Sequence, residues 1–570
     1  YTNIRRAFYG LKNLKNIYFA ENSLTISPSM FENCGQLSTV NIPDSVNSIG
    51  SYAFKNCTSL PVIHIPGTVK VIDEGAFQNC SSIVSINLPS ELREITQSAF
   101  QGCSSLREIT IPPYVQLIST YAFQGCTALQ KITLPSLVDI IASKAFGSCL
   151  NLQEIYCSTK RVPITALNCF DSVPAISCKV YVPSPSITSY KQAEGWQQFG
   201  LVEGFHFDID TTLIIPDEPL YTDLNFPEPV IHVTTVAGEL SGQIKNSYYD
   251  SVVKLKVSGT MDAKDFSFIR NYLENLVYLD LSEVSILAHD SPNYGVNAAN
   301  AIPKEAFKYS RLNIIVFPPS ILTIGESAFS GCQSLRQPLK IPSTVKTIEK
   351  GAFFACQNLK GVLTLPENVE TIGESAFRAC GGITRLVFKS SLKAIPARAF
   401  EKCTHLMIVE LPSGVQQIGD NAFGFCPLLF RVSMPSVRSI GNYTFENAEL
   451  LNPVILPSTL TSIGEYAFSG CKSITEIVFP GLITQLNNFT LKNCIALEKV
   501  TLPASLTRLG YGVFTNCTLI KSFYCLAGTP PGSTIDFAQF NQLNLELCTL
   551  YVPWGTSDQY KSAPVWNVFK

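Results

Sequence analysis

The sequence has 570 residues, of which 46% are hydrophobic and 15% are charged, and its formal net charge is −2. This balance is typical of a well-packed globular protein and leaves no basic surplus for binding nucleic acid or an acidic membrane face. The apolar stretches are short and end at proline, far below the roughly 18 to 20 residues that span a bilayer, which argues against an integral membrane segment.

A repeat written as A-F-x-x-C marks the first part of the chain. A fixed period in this range is typical of a solenoid, in which each repeat buries its apolar face against its neighbours. We therefore predict a first repeat array with a C-terminal cap over residues 1–204. The chain starts with Tyr1 almost inside a repeat, so we expect an N-terminal cap and any targeting segment to be missing from the sequence. The cysteines spaced by 23 residues, each three residues after a phenylalanine, are Cys34, Cys57, Cys80, Cys103, Cys126 and Cys149.

Residues 58–80 show the structure that one repeat predicts. Ile63 and Ile65 alternate as the inward side chains of a short strand, and Pro66 ends that strand because it has no N–H to donate. An apolar pair follows on the return path, and residues 76–80 have the spacing of one face of a single helical turn. Each coil is thus predicted to contain a strand, a turn, a return segment and a second turn.

The 19 cysteines are interpreted as buried, reduced thiols. Stacked coils place equivalent residues about 4.8 Å apart with parallel Cβ vectors, whereas a disulfide needs Cβ atoms that converge to about 3.8 Å. Zinc is the alternative, but ligands spaced at one per coil do not converge on a tetrahedral site. The extra cysteines of the two caps leave a disulfide open, for Cys157 with Cys178 and for Cys525 with Cys548.

Both halves of the chain end in the same atypical segment. Residues 156–199 and 524–569 share Tyr-Cys, Tyr-Val-Pro, Tyr-Lys, Trp and Phe in the same order. A solenoid exposes its last apolar layer unless such an element covers it. We therefore interpret these segments as C-terminal caps, and Trp196 and Trp566 as core residues rather than ligand platforms.

Between the arrays the composition changes twice. Residues 205–229 collect acidic residues and prolines and predict a linker of limited flexibility. Residues 230–300 are not repetitive, but they predict a strand around Val257, a helix capped by Asp262, and a further strand over residues 276–281. We interpret this segment as the N-terminal cap of a second array at 301–522, which is followed by its C-terminal cap at 523–570.

The repeat unit L-x-x-I-x-I-P-x-x-V-x-x-I-G-x-x-A-F-x-x-C, well seen in residues 40–57, resembles the BspA-type leucine-rich repeat over nearly the whole chain. The resemblance implies an α/β fold: a right-handed leucine-rich-repeat solenoid in two arrays, with short parallel strands on the concave face and short helical turns on the return side. In the first array the glycine of this unit is often replaced, which leaves the turn geometry there open; the replacing residues are Asp73, Thr96, Ser119 and Ala142.

The same resemblance implies a function. Members of this family are typically secreted or cell-surface proteins of bacteria, and some are adhesins that bind host matrix or plasma glycoproteins or other bacteria. The resemblance therefore implies a non-catalytic protein-interaction scaffold. The repeat itself does not identify the partner, so binding is tested first with host proteins.

The candidate partner-binding residues project outward between the inward positions of the predicted strands, on the usual recognition face of a curved solenoid. Ile455 and Val478 would be adjacent exposed aliphatics, and such a patch can mark a partner site. Trp554 is a candidate on a loop where the first cap has Ser184, since tryptophan is enriched at interfaces. The remaining candidates are Asn41, His64, Asn87 and Tyr156 in the first array and Val387 and Glu410 in the second.

An enzyme is not predicted, nor is a cofactor or a metal site. The five histidines are scattered, and no G-x-S-x-G, phosphate-binding or dinucleotide motif is present; the S-x-x-K match at residues 390–393 is short enough to arise by chance. Two alternatives to a protein-binding adhesin stay open. A carbohydrate-binding surface protein would need exposed aromatics aligned on one face, for which the sequence offers Tyr156 and Trp554, and a structural spacer would display another module.

Overall fold

The computed structural model describes residues 6–20, 23–159, 161–166, 168–205, 230–244, 246–291, 295–336, 339–533, 540, 543 and 545–569. The chain divides into two compact units, Tyr1–Glu218 and Pro219–Lys570. The linker predicted at 205–229 lies outside the described residues except for its first residue.

Each regular coil contributes two short parallel strands to two separate ladders. In the coil that starts at Thr39, the strand Thr39–Asn41 pairs with Asn16–Tyr18, and the strand Ser48–Ile49 pairs with Thr25–Ile26. We call these the first-strand and the second-strand ladder. The apolar pair expected on the return path thus forms a strand of its own, and the predicted parallel-strand solenoid is confirmed, while its handedness stays a prediction.

The strands of the first unit follow the 23-residue period. Its first-strand ladder contains Asn16–Tyr18, Thr39–Asn41, Val62–His64, Ser85–Asn87, Glu108–Thr110, Lys131–Leu134, Glu154–Cys157, Lys179–Pro183 and Leu201–Phe205. Its second-strand ladder contains Thr25–Ile26, Ser48–Ile49, Val71–Ile72, Glu94–Ile95, Leu117–Ile118, Ile140–Ile141 and Ile164–Thr165.

The second unit repeats this arrangement. Its first-strand ladder contains Ile231–Thr235, Lys254–Met261, Tyr278–Ile286, Ile314–Val316, Gly361–Leu365, Ile383–Phe388, Ile408–Glu410, Arg431–Ser433, Glu476–Val478, Lys499–Leu502, Ser522–Cys525 and Thr549–Tyr551. Its second-strand ladder contains Ala301–Ile302, Thr323–Ile324, Thr347–Ile348, Thr371–Ile372, Ala394–Ile395, Gln417–Ile418, Ser439–Ile440, Ser462–Ile463, Gln485–Leu486, Arg508–Leu509 and Gly532–Ser533. A short antiparallel pair joins His289–Ser291 to Gly295–Asn297.

The first-strand ladder of the second unit is interrupted at the coil around Ile455. The strand Arg431–Ser433 ends one sheet and Glu476–Val478 begins another, while residues 451–457 form no strand. Pro453 lies in this coil and has no N–H for the ladder. The prediction that Ile455 lies on a ladder strand is therefore wrong.

The helical turn expected at A-F-x-x-C is absent from the described array coils. In residues 52–56 the N–H groups of Tyr52, Phe54 and Asn56 each donate to a carbonyl of the next coil, over 2.8 Å. Tyr52 and Asn56 have φ angles of 58° and 60°, which a right-handed helix does not contain. Because stacked coils offer backbone partners along the stack, inter-coil hydrogen bonds replace the bonds within a helix. Helices occur at the caps instead, as Ile187–Gln192, Leu240–Gln243, Ala263–Tyr272 and Ser557–Ser562, with 3-10 turns at Ser184–Ser186, Asn246–Ser251 and Trp566–Val568.

The core of each unit is a continuous stack of phenylalanine rings. Phe377 and Phe400 are representative, with ring centroids 5.5 Å apart and planes 3° apart, and both are fully buried. The regular cysteine spacing ends at Cys149, three residues after Phe146, and Phe170 extends the first stack one coil further. The stacks are Phe8, Phe31, Phe54, Phe77, Phe100, Phe123, Phe146 and Phe170 in the first unit, and Phe307, Phe329, Phe353, Phe377, Phe400, Phe423, Phe445 and Phe468 in the second.

The two C-terminal caps close their cores in the same way. Trp196 is fully buried, packs edge-on against Phe170, and donates its indole N–H to Pro163 O over 3.4 Å. Trp566 is 1% exposed and donates to Pro531 O over 3.0 Å. Both tryptophans are therefore core residues, as predicted.

All nineteen cysteines are free and buried. The cap cysteines do not form the disulfides left open by the sequence: Cys157 lies 3.2 Å from the Tyr190 hydroxyl, and Cys525 lies 3.2 Å from that of Tyr560. In the regular coils the thiol bonds a carbonyl of the preceding coil, as Cys403 does with Phe377 O over 3.3 Å. The repeated thiol is thus a packing and hydrogen-bonding element.

The segment before the second array continues the first-strand ladder. Ile231–Thr235, Lys254–Met261 and Tyr278–Ile286 pair in parallel. The last two contain the predicted strands, whereas Ile231–Thr235 was not predicted. The predicted helix Ala263–Tyr272 begins at its expected N-cap, Asp262, which forms a capping box with Asp265. Asp265 is 1% exposed and accepts the N–H groups of Gly238, Leu240 and Asp262 over 2.7 to 3.0 Å.

The first array keeps its turn geometry without the repeat glycine. Gly50 donates its N–H to Ile26 O over 2.8 Å. Asp73 and Ala142, which replace that glycine in later coils, make the equivalent bonds over 2.9 Å each. The backbone bond of this turn is therefore preserved with a side chain present.

Candidate functional site

The outward positions of the first-strand ladder form the candidate site, because each strand buries its middle residue and exposes the flanking ones. In the first unit Asn41, His64 and Asn87 are all exposed, as predicted from the alternation. His64 and Asn87 are partners in the parallel register. These side chains give the first unit a polar outward column at these positions.

Tyr156 lies on the same column but is partly covered. Its ring stacks on Tyr181 at 4.5 Å, and Lys131 Nζ lies 4.7 Å from its centroid. Phe205 packs edge-on against it at 5.4 Å. Desolvation, followed by the neighbouring Glu154, raises the pKa of the Tyr156 hydroxyl. This tyrosine is a member of an aromatic cluster rather than an isolated contact residue.

Two candidates of the second unit occupy neighbouring strands. Val387 is half-buried on Ile383–Phe388, where its partner in register is Thr364. Glu410 is exposed on Ile408–Glu410 and accepts a hydrogen bond from Arg385 Nη2 over 3.1 Å. The surface ion pair between Arg385 and Glu410 leaves this part of the column close to neutral.

Three apolar candidates are exposed. Ile455 is 72% exposed and Val478 is 50% exposed, in consecutive coils. Val478 lies on a strand and has Thr501 as its partner, whereas Ile455 lies in the interrupted coil. Trp554, in the loop after Thr549–Tyr551, is fully exposed. Large exposed apolar side chains of this kind can mark a partner site.

Sequence reasoning missed an aligned row of aromatics on the turns of the second unit. Tyr443 stacks on Tyr466 at 4.9 Å, Tyr466 stacks on Phe489 at 4.7 Å, and Tyr511 meets Phe489 edge-on at 5.0 Å. The signal was available, since the first three residues occupy the same slot three residues after a buried aliphatic strand end. Because these rings cover each other's faces, the row offers edges rather than the open ring faces on which a sugar would stack.

A groove runs beside this row, along the second-strand ladder. It encloses about 470 Å³. Glycines of three consecutive coils line it, together with polar residues such as Asn442. Asn442 Oδ1 accepts the N–H of Glu465 over 2.8 Å, so its carbonyl oxygen is used in joining coils. The groove residues are Ala394, Ile395, Pro396, Gln417, Ile418, Gly419, Asp420, Ser439, Ile440, Gly441, Asn442, Ser462, Ile463, Gly464 and Asn487.

In the described part of the chain, no group of three or more His, Cys, Asp or Glu side chains is arranged to hold a metal ion. None of the helices there has the length and apolar character to cross a membrane. The candidate contact surface among the described residues therefore consists of the outward side chains of the first-strand ladder and the exposed apolar residues Ile455, Val478 and Trp554.

A model of a known family matches the repeats. It is described as a BspA type leucine-rich repeat region, and it matches residues 3–107, 70–192, 300–428, 337–452 and 438–551. These matches cover more than half of the chain and fall in both units. A comparison with curated proteins gives no match.

Several solved structures match this chain. One from Bacteroides ovatus is 18% identical, with 95% of this chain and 92% of that chain covered and a TM-score of 0.24. A leucine-rich cell surface protein from Faecalibacterium prausnitzii is 17% identical, with 77% and 85% covered and a TM-score of 0.26. The pneumococcal vaccine antigen PcpA is 18% identical, with 56% and 82% covered and a TM-score of 0.29.

Proposed function

We propose, since the chain belongs to the BspA-type leucine-rich repeat family, that this protein is a non-catalytic scaffold that binds other proteins. The protein is secreted from a bacterium or displayed on its surface. It acts there as an adhesin toward host matrix or plasma glycoproteins or other bacterial proteins. Leucine-rich repeat scaffolds present extended surfaces suited to such contacts.

The contrast between the two sides of each strand supports this proposal. Inward residues are uniform aliphatics, such as Val40, Ile63 and Ile86, and all are buried. Outward residues of the same strands change from coil to coil, from Asn41 to His64 to Asn87. A constant core with a varied surface lets a solenoid present a specific face without altering its packing.

The observation that carries the proposal is the exposure of Ile455 and Val478, at 72% and 50%. Burying such side chains in an interface is favourable by about 25 cal/mol per Å² of apolar area removed from water. Ion-paired positions lie on either side of them in the chain: Glu410 with Arg385 two coils before Ile455, and Glu476 with Lys499 on the strand of Val478 and its neighbour. We infer that these aliphatics lie in the partner contact and that the ion-paired positions border it.

The test is binding of the full chain to immobilised fibronectin, fibrinogen, collagen and a panel of glycans. The double variant Ile455→Asp/Val478→Asp is measured beside it, and Val62→Asp, at a 57% exposed strand position of the first unit, is the matched control. We expect saturable binding to a protein surface, at least about tenfold weaker in the double variant and unchanged in the control. Binding to glycans alone would favour a carbohydrate-binding protein, and no binding to any surface would favour the spacer.

A further inference from the structure

Two consecutive coils of the second unit are joined less completely than the others. They are residues 451–471 and 474–494, and we call the passage between them the weak step. On the first-strand side the earlier coil forms no strand, so Glu476–Val478 begins a new sheet. On the second-strand side Ser462–Ile463 ends one sheet and Gln485–Leu486 begins the next. Among the array coils that the structure describes, this is the one step at which neither ladder is paired.

The phenylalanine stack of the second unit also ends at the weak step. Phe445 and Phe468 stack with ring centroids 5.4 Å apart, and Leu491 occupies the same slot in the next coil. Leucine has no ring face to set against Phe468. The core of the weak step therefore lacks the ring stacking that joins the preceding coils.

The slot of the repeat glycine changes at the same place. In the preceding coil Gly464 donates its backbone N–H to Ile440 O over 2.8 Å. Asn487 occupies this slot in the next coil, and its side-chain Nδ2 donates to Ile463 O over 2.6 Å. A side chain has rotatable bonds, so this hydrogen bond fixes the spacing of two coils less firmly than a backbone hydrogen bond does.

The turn side of the weak step is regular. The N–H of Phe468 donates to Thr490 O over 2.9 Å, and the N–H of Gly470 donates to Lys492 O over 2.7 Å. These are the bonds that join the turns of the other coils. Backbone hydrogen bonds therefore hold the two coils along the turns, while the two ladders leave the opposite side free to open, as in a hinge.

The two aliphatic residues proposed for partner contact lie on opposite sides of the weak step. Ile455 belongs to the earlier coil and Val478 to the later one, and both are exposed on the first-strand side. On that side the coils share a long side-chain contact, from Asn452 Nδ2 to Thr475 Oγ1 over 3.5 Å. A change of angle at the weak step therefore changes the distance between Ile455 and Val478 while the turns stay in contact.

We propose that the second array bends at the weak step, and that a partner protein contacting Ile455 and Val478 together binds the array in which this step is closed to the spacing of regular coils. Binding and bending are then coupled, because a partner that favours one setting shifts the array toward it. The inference rests on the proposed protein-binding function and adds a regulation of that site. Changes in the core of the weak step alter partner affinity without altering the contact residues.

The bending is measured on the full chain with two matched pairs of spin labels. The natural thiols are buried, so the labels attach to engineered cysteines at outward strand positions. The pair Glu410→Cys/Thr501→Cys spans four steps that include the weak one, and the pair Asn41→Cys/Thr133→Cys spans four steps of the first unit. Each pair is separated by about 19 Å at about 4.8 Å per coil. We expect a broader distance distribution for the first pair, and equal widths overturn the inference.

The coupling is tested with Asn487→Gly/Leu491→Phe, which restores the glycine and the ring at the weak step. This variant should narrow the distribution of the first label pair to the width of the second. It should also bind the fibronectin, fibrinogen or collagen surface that captures the parent chain at least about threefold more tightly, since fewer arrays have to close. Leu491→Met is the matched control, because it conserves the core volume without adding a ring, and it should change neither measurement.

The outcomes separate this inference from the function on which it rests. A narrowed distribution with unchanged or weaker binding overturns the coupling. Failure of the parent chain to bind any protein surface removes the proposed function and the coupling with it. The label pairs decide the bending by themselves, because they need no partner.

Discussion

The thiol of Cys57 donates a hydrogen bond to the backbone carbonyl oxygen of Phe31, one coil earlier, over 3.2 Å. The same oxygen accepts the N–H of Cys34 over 3.1 Å. A buried carbonyl with two lone pairs thus has two donors, which an alanine at position 57 would not provide. The relation recurs along both arrays and explains why the slot holds a cysteine rather than another small apolar residue.

The thiols of the folded chain should be unreactive. Because all nineteen are buried and the thiolate is the reactive form, we expect almost no labelling by a thiol-specific disulfide reagent near neutral pH. Unfolding in concentrated guanidinium chloride should release all nineteen. Rapid labelling of any ladder cysteine under conditions where the thermal midpoint is unchanged would contradict the packing role.

Alkaline pH should destabilise the chain through the same thiols. Burial raises the pKa of Cys57 from 9.0 to about 12. Because the folded pKa is the higher one, its stabilising contribution is complete below pH 9 and is lost as pH rises from there toward 12, where the unfolded thiol ionises first. At about pH 10 one such thiol lowers the free energy of unfolding by about 1.4 kcal/mol.

The variant Cys57→Ala isolates this effect. The difference in unfolding free energy between the parent chain and the variant should shrink by about 1.4 kcal/mol between about pH 8 and pH 10, measured in urea. The control is Val69→Ala, a buried truncation in the same coil without a titrating group. A pH-independent difference for Cys57→Ala would show that its ionisation is not linked to folding.

Much of this fold could be predicted from the sequence because packing is strictly periodic. The inward aliphatics and the phenylalanine slot followed from spacing, and the buried cap tryptophans followed from their repeated place after both arrays. The prediction of a helical turn was wrong because spacing at i, i+1 and i+4 does not distinguish a helix from a backbone in which some residues have left-handed φ angles. The position before each cysteine held the missing signal: Asn56 and Asn79 are residues that tolerate the left-handed region, with φ angles of 60° and 59°.

The candidate site was less predictable. Alternation placed Asn41 and His64 outward correctly, because a period of two needs only the strand register. The interruption at Pro453 depends on a missing N–H donor. The covering of Tyr156 depends on Phe205, which lies on a strand 49 residues further along the chain. Repeat spacing contains no information on such contacts between the cap and the ladder.

The phenylalanine stack should tolerate leucine better than alanine. Phe400 lies between Phe377 and Phe423, at 5.5 Å and 5.6 Å, and is fully buried. Phe400→Ala should therefore lower the free energy of unfolding by about 3 to 5 kcal/mol through lost burial and a cavity. Phe400→Leu should cost clearly less, since Leu491 occupies the equivalent slot of a later coil. Unchanged urea and thermal midpoints for Phe400→Ala would refute the slot assignment.

The repeat glycine of the second array should be required for close stacking of the coils. A Cβ on Gly373 would lie 2.3 Å from Lys350 N and 2.5 Å from Glu349 C, both backbone atoms that cannot rotate away. Gly373→Ala should therefore destabilise the unit by about 1 to 3 kcal/mol, as overpacking does. Gly481→Ala is the control, because a Cβ there has no heavy atom within 4 Å, and it should be neutral or stabilise by up to about 1 kcal/mol.

The first array accepts Ala142 at the slot equivalent to Gly373. The loss of stability expected for Gly373→Ala therefore reflects the local approach of the preceding coil rather than the turn itself. Equal urea midpoints for the two variants would show that the coils can move apart without loss of stability.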